Sequence, residues 1–308
     1  WLREKLESLH ADIGYVRRDS QLHTPLAILL NLLLALPVSL LLALGGIALQ
    51  MDARGQNASL GATLMQIAQA WLVFHTAYRI LLPGGVGERH FQWPPERLHA
   101  LHRYVRKLGI VVVAVIAVVA IAERQPESLG SDVLGIVILL VGYATMAWLL
   151  GRGLLHRKGD ARLSPLRLLT SLALGLMPLA LIGALAMGYY YTALKLTGRL
   201  VDTLYVLILW RIAEGVLVRA LAVAAHRLDY KRAVARREAA EREGRQGADG
   251  EQPIETPILD LARINQQSLR LLHLTLLSAL VVVLYWVWAD LLTVVSYLDN
   301  ITRYEYAS

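Results

Sequence analysis

The 308 residues carry 56% apolar side chains, only 18% charged ones, a mean hydropathy of +0.47 and a formal charge of +7. This balance excludes an ordinary soluble domain and makes lipid the solvent for most of the chain. With no cysteine, disulfides, thiolate metal sites and cysteine nucleophiles are excluded, and a basic membrane chain answers to anionic lipid rather than to nucleic acid.

The apolar runs are long and unbroken rather than alternating, which selects helices over a barrel, because in lipid every backbone polar group must be satisfied internally. A hydrocarbon core takes about 20 helical residues to cross. Runs of that order predict an all-α polytopic bundle of about seven spans, near 25–49, 60–82, 106–122, 133–150, 168–190, 200–222 and 271–292. The expected divisions are a cytoplasmic N-terminal segment (1–24), a six-span membrane bundle (25–222), a basic cytoplasmic helical hairpin or linker (223–270), and a seventh span with an outward C-terminal segment (271–308). A start at Trp1 and an end at Ser308, soon after an apolar run, suggest a piece of a longer protein.

Charge sets the expected orientation. Segments 1–24, 83–107, 151–167 and 223–270 hold 23 Lys and Arg, whereas 50–59, 123–132, 191–199 and the tail from 293 hold 5. That alternation places the N-terminus in the cytoplasm of an inner membrane and the C-terminus in the periplasm. Tyr285, Trp286 and Trp288 then fall toward the outer interface, which suits amphipathic rings.

In chain order, span two carries Arg79 near its cytoplasmic end, where it can snorkel, and Gln66, Gln69 and His75 more deeply, as candidates for hydrogen bonds between helices. Ahead of span three, His99, His102, Arg103 and Arg106 recur at helical spacing, followed by Lys107. Arg103, Arg106 and Lys107 are expected to meet anionic headgroups, a role that serves lipid sensing or simply sets topology. The apolar part of that span, LGIVVVAVIAVVAIA, is short and should extend backward into the polar helix. Without cysteine, and with only Glu96 beside the two histidines, no metal is assigned there.

Span five holds Ala180, Ala184 and Gly188 on one ridge, open to close helix approach, and Pro178, which frees a backbone carbonyl and makes either a fixed kink or a moving hinge. Span six holds Asp202, Arg211, Glu214 and Arg219 in one apolar run. Arg211 and Glu214, three apart, share a face as a candidate ion pair deep in the membrane. Three roles stay open for this polar set: an internal structural pair, an ion or substrate pathway, and a moving or lipid-contacting element. Residues 226–245 continue the helix into the cytoplasm until GADGEQPIETP breaks it. No nucleotide, hydrolase or metalloprotease motif occurs, so no enzyme activity and no cofactor is expected.

The stretch INQQSLRLLHLTLLSALVVVLYWVWADLLTVVSYLDNIT at 264–302, with PIETP just upstream, resembles the segment before the pore module of the large MscS-like mechanosensitive channels, in the branch of MscK and MscM. The basic run YKRAVARREAA at 230–240 stands where that family has its cytoplasmic stretch. The resemblance implies a homoheptamer that opens under membrane tension and releases ions and small solutes on osmotic downshock. It also implies a periplasmic domain and one further span before Trp1, and a three-span pore module after Ser308. No pore residue can be carried over, because the Gly/Ala-rich pore helix lies outside this sequence. The rival expectations are a secondary transporter with a midplane site at Asp202, Arg211 and Glu214, and a membrane scaffold or assembly domain.

Overall fold

A computed structural model describes residues 1–11, 13, 20–51, 55–123, 132–155, 165–242 and 266–298. PIETP and, at the two ends of the family-like stretch, residues 264–265 and 299–302 lie outside the described residues. All elements among those described are helical: α1 (Leu2–Ala11), α2 (His23–Met51), α3 (Gly55–Ile80), the one-turn α4 (Val86–Arg89), α5 (Pro95–Ala122), α6 (Val133–Leu155), α7 (Pro165–Ala186), α8 (Tyr190–Arg242) and α9 (Gln266–Leu298).

Four of these are long and apolar enough to cross a membrane: α2, α5, α6 through Arg152, and Gln267–Asp290 of α9. In α7 the corresponding apolar stretch, Leu172–Ala186, is shorter. α3 is diluted by Gln66, Gln69, His75 and Arg79, and α8 by its charged residues. α5 runs as one helix from Pro95, so the short apolar run of span three is extended by the polar turns before it.

The segment 191–199, expected as an outer loop, is helical instead, because α8 already begins at Tyr190. The connection from α7 is a tight turn built on Gly188 at φ +82°. The Gly188 N–H donates to the Leu185 carbonyl at 3.1 Å and the Tyr189 N–H to the Ala184 carbonyl at 2.9 Å. That is the paired bonding of a Schellman cap, whose left-handed position only glycine fills without strain. Gly188 therefore ends a helix and does not extend the Ala180–Ala184 ridge.

The chain divides into two compact units. The first comprises Trp1–Leu40, Trp71–Arg106 and Arg211–Leu274. Its core is Leu9 of α1, Ala27 and Leu30 of α2, Ile80 of α3, Val86 of α4 and Phe91 of the following loop. Leu2, Leu6 and Leu9 recur at helical spacing and give α1 one apolar face, which is how so short a helix docks.

The second unit comprises Leu41–Ala70, Lys107–Trp210 and Thr275–Ser308. Here α5 and α6 touch where Gly142 meets the Val115 side chain, and α2 and α3 where Gly46 and Gly61 bring their backbones together. A Cβ built on Gly61 would stand 2.5 Å from the Gly46 carbonyl oxygen, so these glycines set the helix separation. Tyr143, fully buried, hydrogen-bonds Thr197 at 2.6 Å between α6 and α8. Arg199 meets Asp290 at 2.5 Å, and Trp288 donates to Thr203 at 3.2 Å, so α9 is clasped to α8 by polar contacts. Lys195 of α8 pairs with Glu123 at 3.1 Å.

Candidate functional site

The polar chemistry of the first unit gathers around the 81–94 segment between α3 and α5. The Gly84 N–H donates to the Glu88 carboxylate at 2.6 Å, and Val86 accepts from both His90 and Phe91, which folds the segment into a compact turn. Gln92 at φ 51° then turns the chain so that Phe91 and Trp93 flank it.

His90, at the centre, is 1% exposed. Its Nδ1 shares a hydrogen bond with the Thr24 hydroxyl at 3.1 Å, and its ring meets that of His10 edge-on at 5.1 Å. Burial, then Arg219, His10, His23 and Arg89, hold the His90 pKa down at about 2. Burial, then Arg89 and Arg219, lower that of His10 to about 4. Both rings are therefore neutral at physiological pH.

From α8, Arg219 is only 4% exposed and donates to the His90 carbonyl at 3.0 Å. One helical turn earlier, Gly215 lies so close to the Phe91 ring that a Cβ there would stand 2.9 Å from it. Arg211 forms an ion pair with Glu214 on its own helix, and its guanidinium stands 5.9 Å from the centre of the Trp93 ring. Glu214 also meets Nε2 of His273, on α9, at 3.2 Å. These groups surround a cavity of about 290 Å³.

Residues 211–219 lie against the irregular 81–94 segment. The Arg211 and Glu214 side chains are 47% and 16% exposed, so the pair is not deeply buried within the protein.

The other sequence-selected residues fall elsewhere. Asp202 belongs to the second unit, with Arg199 and Glu123 as its charged neighbours. Arg211 and Glu214 belong to the first unit. Arg103, Arg106 and Lys107 are exposed on α5. His99 donates to the Pro95 carbonyl at 2.9 Å whereas the His102 ring meets that of Tyr78 of α3, tilted, at 4.1 Å between centres, so the two histidines engage different partners. Pro178 is buried within α7, Ala180 is exposed and Ala184 half-buried.

His10, Thr24, His90 and Trp93 were not legible as a group, since their contacts join positions up to 129 residues apart in sequence. His273 carried one signal, a lone imidazole near the start of an apolar span.

A family model described as "Mechanosensitive ion channel inner membrane domain 1" matches residues 1–304. The chain is 36% identical over 307 residues to the mechanosensitive channel MscK of Escherichia coli, covering 99% of this chain and 27% of that protein. It is 26% identical over 316 residues to an uncharacterized MscS family protein of Haemophilus influenzae, covering 99% of this chain and 28% of that protein. Against the miniconductance mechanosensitive channel MscM of E. coli it is 25% identical over 242 residues, which is 73% of this chain and 22% of that protein. The chain thus spans about a quarter of the length of these relatives. With a helical bundle of membrane-spanning length and a family match over nearly every residue, the chain belongs to the inner membrane domain family of mechanosensitive ion channels.

Proposed function

We propose that this region is a peripheral, tension-responsive paddle of a mechanosensitive channel and does not itself line the pore. The observation that carries the reading is the apolar surface that the spans present outward. Val133, Val137 and Val141 line an exposed face of α6, and Leu172, Leu176 and Leu179 an exposed face of α7. Only 6% of the apolar stretch of α9 is buried, and Trp286 is 76% exposed. Such faces take lipid as their solvent. A bilayer that thins or spreads changes the mismatch free energy at each of them, by fractions of a kcal/mol per Å. A stimulus shifts an equilibrium only by its differential free energy between states, and here that difference is the area or thickness of lipid each state accommodates.

On this reading the N-terminus is cytoplasmic, the C-terminus is periplasmic and about seven spans cross the membrane. Arg103, Arg106 and Lys107 meet headgroups, Pro178 is a hinge, and the channel is a homo-oligomer, a heptamer, whose pore is made by other parts of the protein. Release of ions and small solutes on osmotic downshock would be the activity of that assembly. The relationship to MscK and MscM supports the channel assignment.

The test is electrical. Patches reconstituted with residues 1–308 alone should stay silent under suction, and stretch-activated single channels from them would overturn the paddle reading.

A further inference from the structure

We propose that the cavity beside the 81–94 turn binds a phosphate group, carried by an anionic phospholipid headgroup or supplied as free phosphate. This site does not depend on the paddle role. The cavity holds about 290 Å³, enough for a phosphate with its glycerol, and is bordered by two guanidinium groups, Arg211 and Arg219. Among the described lining groups the only carboxylate is Glu214.

Glu214 is committed to two partners, Arg211 on its own helix and His273 on α9. It therefore orients the rim of the cavity. Arg219 is the deep cation, 4% exposed and fixed by its bond to the His90 carbonyl at 3.0 Å. A planar guanidinium held in one orientation matches the oxygens of a phosphate far better than a mobile ammonium does.

The wall of the cavity supports the same chemistry, with the irregular 81–94 turn contributing His90, Phe91 and Trp93 to it. Trp93 presents an aromatic wall beside Arg211, as interfacial tryptophans do, and Val218 supplies an apolar surface for the glycerol and first acyl carbons.

The test is native mass spectrometry of the purified, delipidated protein in maltoside detergent. It is titrated separately with phosphatidylglycerol, with diacylglycerol of the same acyl chains, and with inorganic phosphate. Phosphatidylglycerol should bind and diacylglycerol should not, and Arg219→Gln should weaken binding roughly tenfold or more. Val218→Trp fills the cavity while leaving every charge in place and should abolish binding too. It also decides the matter if Arg219→Gln fails to fold. Binding of the lipid without inorganic phosphate assigns a headgroup site, and binding of both assigns a site for the phosphate group itself. Diacylglycerol bound as tightly as phosphatidylglycerol, undiminished binding to Val218→Trp, or no binding of either phosphate source overturns the proposal.

Discussion

Acidification should destabilise the first unit through His10 and His90. Each imidazole starts from 6.5 when unfolded and is held at about 4 and about 2, respectively, in the folded chain. Because the folded values are depressed, the stabilisation is fully present above 6.5 and is lost as pH falls toward 4, where the unfolded chain takes up protons that the folded chain refuses. Each group contributes a slope of up to about 1.4 kcal/mol per pH unit in that window. A fall to about pH 5 therefore removes at most about 4 kcal/mol from the pair, a large share of an ordinary domain's stability. The geometry explains the refusal: each Nε2 is buried without a hydrogen-bond partner among the described residues, and Arg219 and Arg89 stand nearby. The assay is thermal unfolding in detergent across this pH range for wild type and for His10→Asn/His90→Asn. Asparagine keeps an amide near the position of Nδ1 but does not titrate. Wild type should lose melting temperature on acidification much more steeply than the double variant, with acidic residues contributing equally to both. Parallel pH profiles would refute the argument.

The exposure of the Arg211 side chain sets a modest cost: Arg211→Leu should lose about 1 kcal/mol or less, because half-exposed ion pairs are screened. Glu214→Leu should cost more, since it releases both Arg211 and His273, and the double substitution should cost no more than Glu214→Leu alone; strictly additive losses in melting temperature would show the residues to be uncoupled. Gly142→Ala drives a methyl into Val115 and should cost about 1 to 3 kcal/mol. Gly175→Ala, with open space around it in α7, should be neutral or stabilising by up to about 1 kcal/mol, so a reversed order in a thermal-shift assay would contradict the α5–α6 packing. The absence of cysteine permits labelling without background: Gly247→Cys should react only from the cytoplasm and Asn300→Cys only from the periplasm, and reaction of both from one side of intact spheroplasts would reject the seven-span topology.

What the sequence determined by itself follows from terms that are local along the chain. Transfer of apolar runs into lipid, with a backbone that must satisfy itself, dictates helices wherever about 20 apolar residues follow one another. For that reason α2, α5, α6 and α9 could be read before any fold was known. The Arg211–Glu214 contact was legible for the same reason, since residues three apart on a helix are neighbours whatever the helix packs against. The family-like stretch at 264–302 likewise needed no geometry to be recognised.

Tertiary structure decided the rest, because it depends on which distant backbones approach one another. Periodicity could not say that Phe91 would settle on Gly215. Nor does composition reveal that His10, Thr24, His90 and Arg219 converge from four elements, where burial and neighbouring cations together keep two imidazoles neutral. Gly188 matched the small-residue ridge by spacing, yet its positive φ makes it the residue that ends α7. Gly142 and the Gly46–Gly61 pair carry the close helix contacts because only the packed arrangement places another helix against them.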